Sequence, residues 1–339
     1  MCMSLFNTAN HYNVYLDIPD QLSFSWNNIY DYSANDLLNF IKTLNIKDEH
    51  SLIVLWGIGH KIDINDSRFN VLNEWYQSIK NPMILFNNTI YINSPGVLKF
   101  PYQQVEFFQY LSKLSVESIS SPINKNKKFF FASTKDYLSR RYILQSLFNN
   151  GFNDQGYIAY KCIDKHHTTE LYDIDNLQLI QSAAASIDHL LPIQGFDDTI
   201  EYVNIPKNIT SDAYLSIVTE TFYNGPELFF SEKIFNSMLY NHFFVYLGPA
   251  HSLKYLRSKG FKTWAHIINE SYDDIENSAE RLYAVTNAIN EFVAKPINEI
   301  EQLYAENIDI INHNKNLVLA TDINNTIVSA MQQAIAIKN

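Results

Sequence analysis

Two continuous apolar runs, Ala213–Glu220 (AYLSIVTE) and His242–Gly248 (HFFVYLG), constrain this chain more than any other feature. Neither alternates polar with apolar residues, so each reads as a strand buried on both faces, as in a parallel sheet. Parallel neighbours need a crossover between them, and the intervening SEKIFNSMLYN supplies one. Its Ile234, Phe235, Met238 and Leu239 give a helical core face, and Ser231 is a good N-cap. A helix leaving a parallel strand points its N-terminus at the carboxyl edge of the sheet, where open α/β folds bind ligands. Lys233 in the first turn opposes the helix dipole, at a cost of a few tenths of a kcal/mol unless an anion offsets it. The Ser231-Glu232-Lys233 triplet therefore either caps an ordinary helix or grips something negative.

The same alternation of strand and helix recurs elsewhere. In the first half, SLIVLW (Ser51–Trp56) runs into a Gly57-Ile-Gly59 turn, then the amphipathic NVLNEWYQSIK, then MILFNNTIYI as one strand or a hairpin pair. VESISSPINKNKK (Val116–Lys128) is polar, contains Pro and lacks apolar periodicity, so it reads as an interdomain linker. Beyond it, KFFFAS and GYIAYKC read as strands around the helix KDYLSRRYILQSLFNNG. Leu138, Tyr142, Leu144, Leu147 and Phe148 form its apolar face, and Gly151 sits where a left-handed cap belongs. NSAERLYAVTNAINEFVAK starts with Asn277 and Glu280 in capping-box spacing and lines up Leu282, Val285, Ile289 and Phe292. A length of 339 residues accommodates two such α/β domains, at roughly 150 residues each. The expected division is residues 1–122 as a first domain and 123–310 as a second. Residues 311–339 follow, with NNTIVSAMQQAIAIK (Asn324–Lys338) as a terminal helix that could cross back to the first domain.

Charge and cysteine count narrow the function class. A net charge of −11 argues against a phosphate-tracking nucleic-acid surface, though not against a local basic pocket. Cys2 and Cys162 cannot make a disulfide framework, and the N-terminus lacks a basic segment followed by an apolar one. No run approaches the ~18 apolar residues of a membrane span. A cytoplasmic protein is the expectation, with the Asn208-Ile-Thr210 sequon a matter of composition.

The stretch VTETFYNGPELFFSEKIFNSMLYNHFFVYLGPA resembles the signature of α-1,3-fucosyltransferase-type glycosyltransferases. In that signature a strand ending in Phe-Glu-Asn is followed by Tyr-Val-Thr-Glu-Lys, a helix and an apolar strand with a Gly-plus-small turn. Glu220-Thr221 stands for Glu-Asn, and Phe230-Ser231-Glu232-Lys233 for Val-Thr-Glu-Lys. Phe244–Gly248 stands for the closing strand. Two positions depart from the pattern: Asn is Thr221, and Thr is Ser231. The resemblance is close over about 40 residues, loose over the rest of the C-terminal half, and does not extend into the N-terminal half. It implies a GT-B architecture of two Rossmann-like domains facing a cleft, the first binding the acceptor and the second the donor. It also implies an inverting, metal-independent transfer from a nucleotide-sugar co-substrate to a hydroxyl of a glycan or other acceptor, with no further cofactor. Glu220, Ser231, Glu232 and Lys233 would then hold the donor, with Arg140 or Arg141 as the second cation on its diphosphate. The catalytic base would come from the first domain, where His60, Asp63, Asp66 and Glu74 follow a strand end. Two other readings use the same scaffold: a non-catalytic glycan- or nucleotide-binding module, and a transferase acting on nucleic-acid bases.

Several motifs carry less. The Asp173-Ile-Asp175 pair could hold a divalent cation but reads more simply as a solvated turn. His166 and His167 lack further ligands, and Gly57-x-Gly59 lacks the third glycine of a dinucleotide fingerprint.

Overall fold

The apolar runs form parallel strands, as their sequence requires. The computed structural model describes residues 125–133, 136–160, 209–221, 223–224 and 228–320 in full, and the backbone of the strands that precede them. The chain divides into two compact units, Met1–Gln104 with Ile323–Asn339, and Val105–Asp322.

In the first unit a short antiparallel pair, β1 (Phe6–Thr8) and β2 (His11–Asn13), precedes a four-stranded sheet. That sheet holds β3 (Gln21–Ser25), β4 (Leu52–Gly57), β5 (Met83–Asn87) and β6 (Val97–Lys99) in sequential order, every pair parallel. MILFN is one strand, β5, and its pairing with both neighbours fixes Gly57 beside Asn87 at the carboxyl edge.

The second unit is also built on four parallel strands, in the order β10-β9-β7-β8. These are β7 (Lys127–Ser133), β8 (Gly156–Tyr160), β9 (Ala213–Thr219) and β10 (Phe243–Leu247). All residues of β9 and β10 are buried, which explains why neither alternates. Helix α1 (Leu138–Asn149) connects β7 to β8, and α2 (Glu232–Leu239) connects β9 to β10. These crossovers step in opposite directions, so right-handed connections put α1 and α2 on opposite faces of the sheet. Downstream, α3 (Ser252–Ser258), α4 (Ser278–Val293), α5 (Ile297–Glu306) and α6 (Ile308–Ala320) complete the layers. α4 packs on α1 and β10, and α6 packs on α2. No described helix is long and apolar enough to cross a membrane.

Local signals set the helix ends. Asn277 accepts bonds from the N–H groups of Ala279 and Glu280, both at 3.0 Å, and starts α4. Gly151 takes a φ of 67° after α1. There Phe152 N donates to Leu147 O at 2.8 Å and Gly151 N to Phe148 O at 3.0 Å, a Schellman closure.

Two sequence expectations need correction. The last residues of the polar linker belong to the fold: Lys127 and Lys128 open β7, and Lys125 is buried. Its Nζ donates to the carbonyls of Ala213 (2.8 Å) and Asn241 (3.0 Å) and sits 4.8 Å from the Tyr304 ring centre. The inward face of α1 is Leu138, Ser139, Arg140, Ile143, Leu144 and Leu147, whereas Tyr142 and Phe148 are only half-buried. An arginine takes part of the place assigned to an aromatic because strand-end oxygens await its guanidinium. The expected amphipathic segment NVLNEWYQSIK and the terminal helix Asn324–Lys338 lie outside the described residues.

Candidate functional site

Because β7 connects outward to β8 while β9 connects the opposite way to β10, the strand order reverses between β7 and β9. Their carboxyl ends, Ser133 and Thr219, flank the crevice that such a reversal opens. Arg140, 3% exposed, spans it from the first turn of α1. It donates from Nη1 to Ser133 Oγ (2.9 Å), from Nε to Thr219 Oγ1 (3.1 Å) and from Nη2 to the Thr219 carbonyl (3.1 Å). Its guanidinium carbon lies 4.5 Å from the centre of the Tyr137 ring. Arg141 points elsewhere, forming a two-point ion pair with buried Asp136, which also accepts from Tyr160 Oη at 2.8 Å. Of the two arginines, Arg140 is the one at the crevice.

Glu220, the residue after β9, is 1% exposed, and four groups surround its carboxylate. Ser231 donates twice, from its backbone N to Oε1 at 3.0 Å and from Oγ to Oε2 at 2.6 Å. Tyr246 Oη donates chiefly to the Phe229 carbonyl at 2.5 Å and stands 3.3 Å from Oε1, and Lys233 Nζ stands 3.7 Å from Oε2. Burial pushes the Glu220 carboxyl above the usual carboxylate range, while Lys233 and the Ser231 hydroxyl pull it back. The Tyr246 phenol is held well above its ordinary value by burial and by Glu220, so it stays a donor.

Ser231 Oγ also accepts from Lys233 N at 3.4 Å and from Lys233 Nζ at 3.0 Å, capping α2. The Lys233 ammonium lies 3.7 Å from Glu232 as well. The cation that opposes the α2 dipole is thus held between two carboxylates, Glu220 and Glu232, at a helix N-terminus. The side chain of Lys233 keeps 18% exposure, while that of Glu220 keeps none. A lysine at the rim and a carboxylate beneath it suit an oxyanion above the helix end, with Glu220 holding Lys233 and Ser231 in place.

Tyr246, Ser133 and Thr219 carry no sequence signal of their own. Tyr246 is the one side chain in FFVYL with a hydroxyl, and that is the only local trace. Its role does explain the glycine that follows β10: a Cβ on Gly248 would lie 2.1 Å from Tyr246 Cε1. Arg281, also buried, donates from Nε to the Gly248 carbonyl at 3.0 Å and from Nη2 to the Tyr223 carbonyl, fixing the loops at this edge.

The base candidates His60, Asp63, Asp66 and Glu74 follow β4 and lie outside the described residues, as do Asp173, Asp175, His166 and His167.

Fold and site together define a parallel α/β protein with a helix-terminated crevice at a strand-order reversal, where Arg140 and Lys233 meet Glu220 and Glu232. No protein-family model matches the chain, and no curated protein matches it. Among solved structures, an α1,3-fucosyltransferase aligns at 12% identity and a TM-score of 0.32, over 92% of this chain and 95% of that one. An α1,3-fucosyltransferase with GDP-fucose aligns at 12% identity and a TM-score of 0.25, over 91% and 94%. Likenesses this distant decide neither fold nor activity.

Proposed function

We propose that the chain transfers a sugar from a nucleotide-sugar donor to an acceptor hydroxyl, with inversion and without a metal ion. The observation that supports this reading most is the Glu220–Ser231–Lys233 cluster at the N-terminus of α2, on the carboxyl edge of a parallel sheet. It coincides with the residues that resemble the fucosyltransferase-type signature.

In the proposed reaction the acceptor oxygen attacks the anomeric carbon and the bond to the nucleoside diphosphate breaks. Negative charge then grows on the leaving phosphate. The Lys233 ammonium and the positive end of the α2 dipole offset that charge. Arg140 keeps β7 and β9 at the spacing the crevice needs. Glu220, buried and saturated with donors, orients the cluster and is not placed as the base. The acceptor proton passes to a carboxylate or imidazole, for which His60, Asp63, Asp66 and Glu74 remain the candidates.

The test is calorimetric titration of the full chain with nucleoside mono- and diphosphates, followed by product detection with nucleotide-sugars. Lys233→Ala should weaken diphosphate binding by about 1.5–3 kcal/mol and leave monophosphate binding nearly unchanged. Lys233→Arg should restore part of the loss. Diphosphate binding should survive EDTA. Equal losses for both ligands, or none, remove Lys233 from the site. Binding without turnover would indicate a non-catalytic module.

A further inference from the structure

Beneath α2 lies a small cavity that only Lys233 of the helix N-terminal cluster borders. Lys233, Asn236 and the following Tyr240 line it from the helix side, with Ser216 and Val218 from β9 and Phe130 from β7. It has room for about one water-sized group. Asn236 is 4% exposed, and its carboxamide oxygen has no hydrogen-bond partner. A buried carbonyl oxygen left without a donor costs about 1–3 kcal/mol, so its place in a well-packed helix calls for a ligand.

The walls define that ligand's chemistry. Phe130, Val218 and the Tyr240 ring are apolar and buried, which disfavours a second charge and leaves too little room for a phosphate. Ser216 Oγ is engaged with Nδ1 of the buried His242 at 2.8 Å. Burial and Lys125 hold that histidine well below its ordinary pKa, so it stays neutral. The remaining demand is for a small neutral donor to the Asn236 oxygen. Asn236 stands one helical turn from Lys233, on the same face of α2.

We infer that this cavity is a hydroxyl-reading subsite adjoining the Lys233 site, and that Asn236 is a specificity-determining residue that accepts a hydrogen bond from one hydroxyl of the bound nucleotide-sugar. The inference rests on the donor-binding function proposed above. The hydroxyl belongs either to the ribose or to the transferred sugar, and a water occupies the place otherwise.

Calorimetric titration of the full chain with GDP, UDP, ADP and CDP identifies the preferred nucleotide. Its 2′-deoxy and 3′-deoxy analogues, and then its nucleotide-sugars with single sugar hydroxyls removed, locate the hydroxyl. One such deletion should weaken binding to the wild type about tenfold, the size of a lost neutral hydrogen bond near the upper end of its range. In Asn236→Leu, which removes the acceptor at similar volume, that discrimination should shrink to about twofold or less. Asn236→Asp keeps an acceptor and should keep the discrimination. Because the readout is a ratio of affinities within one variant, partial destabilisation cancels, and Asn236→Ala serves if the leucine variant does not fold. A ribose-only effect assigns the ribose, and a sugar-only effect assigns the sugar. If ligands bind the wild type but no deletion matters, or if Asn236→Leu still discriminates, the subsite is overturned while the donor-binding function stands. If no nucleoside diphosphate or nucleotide-sugar binds at all, both fall together.

Discussion

Both units carry four parallel strands, yet only the second reverses its strand order among the described residues. In β3-β4-β5-β6 each strand pairs with the next in sequence, so every crossover steps the same way. In β10-β9-β7-β8 the connections diverge, one from β7 to β8 and one from β9 to β10. Divergence is what opens a crevice at the carboxyl edge, because the two following helices go to opposite faces and leave the strand ends uncovered between them. Ser133, Thr219, Arg140 and Glu220 all gather at that edge. Parallel pairing alone therefore does not make the candidate site; the reversal does.

Substitutions at the two carboxyl edges put that contrast at risk. The largest effect belongs to Arg140→Met, which leaves the oxygens of Ser133 and Thr219 short of donors at a buried position. It should destabilise the second unit by about 3 kcal/mol and lower nucleoside diphosphate affinity with it. Asn87→Ala, at the corresponding edge of the first sheet beside Gly57, should leave that affinity unchanged. Chemical denaturation with calorimetric titration checks both, and a nucleotide-binding defect in Asn87→Ala would break the comparison.

Gly248→Ala comes next, at about 2 kcal/mol, because the new methyl overlaps the Tyr246 ring and forces its hydroxyl off the Phe229 carbonyl and Glu220. Thermal melting should show the loss, and a Gly248→Ala, Tyr246→Phe double variant should lose less than the sum of the two single changes. Strict additivity would mean that the tyrosine does not depend on the glycine.

The smallest effect when read over a single pH unit, at most about 1.4 kcal/mol, sharpens the picture at the opposite edge of the second sheet. Burial lowers the Lys125 ammonium to about 7 against the attraction of Asp212. Tyr214, Tyr304 and the neutral His242 are its other titratable neighbours. The folded protein releases this proton near pH 7 and the unfolded chain keeps it to about 10.5, so the unfolded state binds more protons between those values. Lys125 therefore adds stability as pH rises through that window, and the contribution is lost as pH falls to about 7. Hydrogen exchange of β9 and β10 amides should slow with rising pH, after correction for intrinsic exchange, by more in the wild type than in Lys125→Met. Equal slopes would show that the carbonyls and the Tyr304 ring keep the lysine charged.

How much of this was legible depends on the range of the interaction. Ala213–Thr219 and Phe243–Leu247 were readable as buried strands because burial on both faces removes every polar position. Ser231, Asn277 and Gly151 were readable as caps because each acts on groups a few residues away. The Glu220–Lys233 cluster was half legible. The resemblance singled out the residues, but it did not disclose that Lys233 leans on Glu220 and not only on solvent. Lys125 was misread because NKNKK is polar by composition, and only carbonyls far along the chain make its burial tolerable.

The sequence by itself determined that Ala213–Thr219 and Phe243–Leu247 are buried strands and how α2 and α4 begin, since periodicity and capping operate within about one helical turn. Tertiary structure alone decided that Arg140 and not Arg141 faces the crevice, that Tyr246 closes on Glu220, and that Asn236 keeps a buried oxygen open beneath α2. Each of these depends on the order in which strands pair. That order is set by burial summed over the whole sheet, so no single segment encodes it.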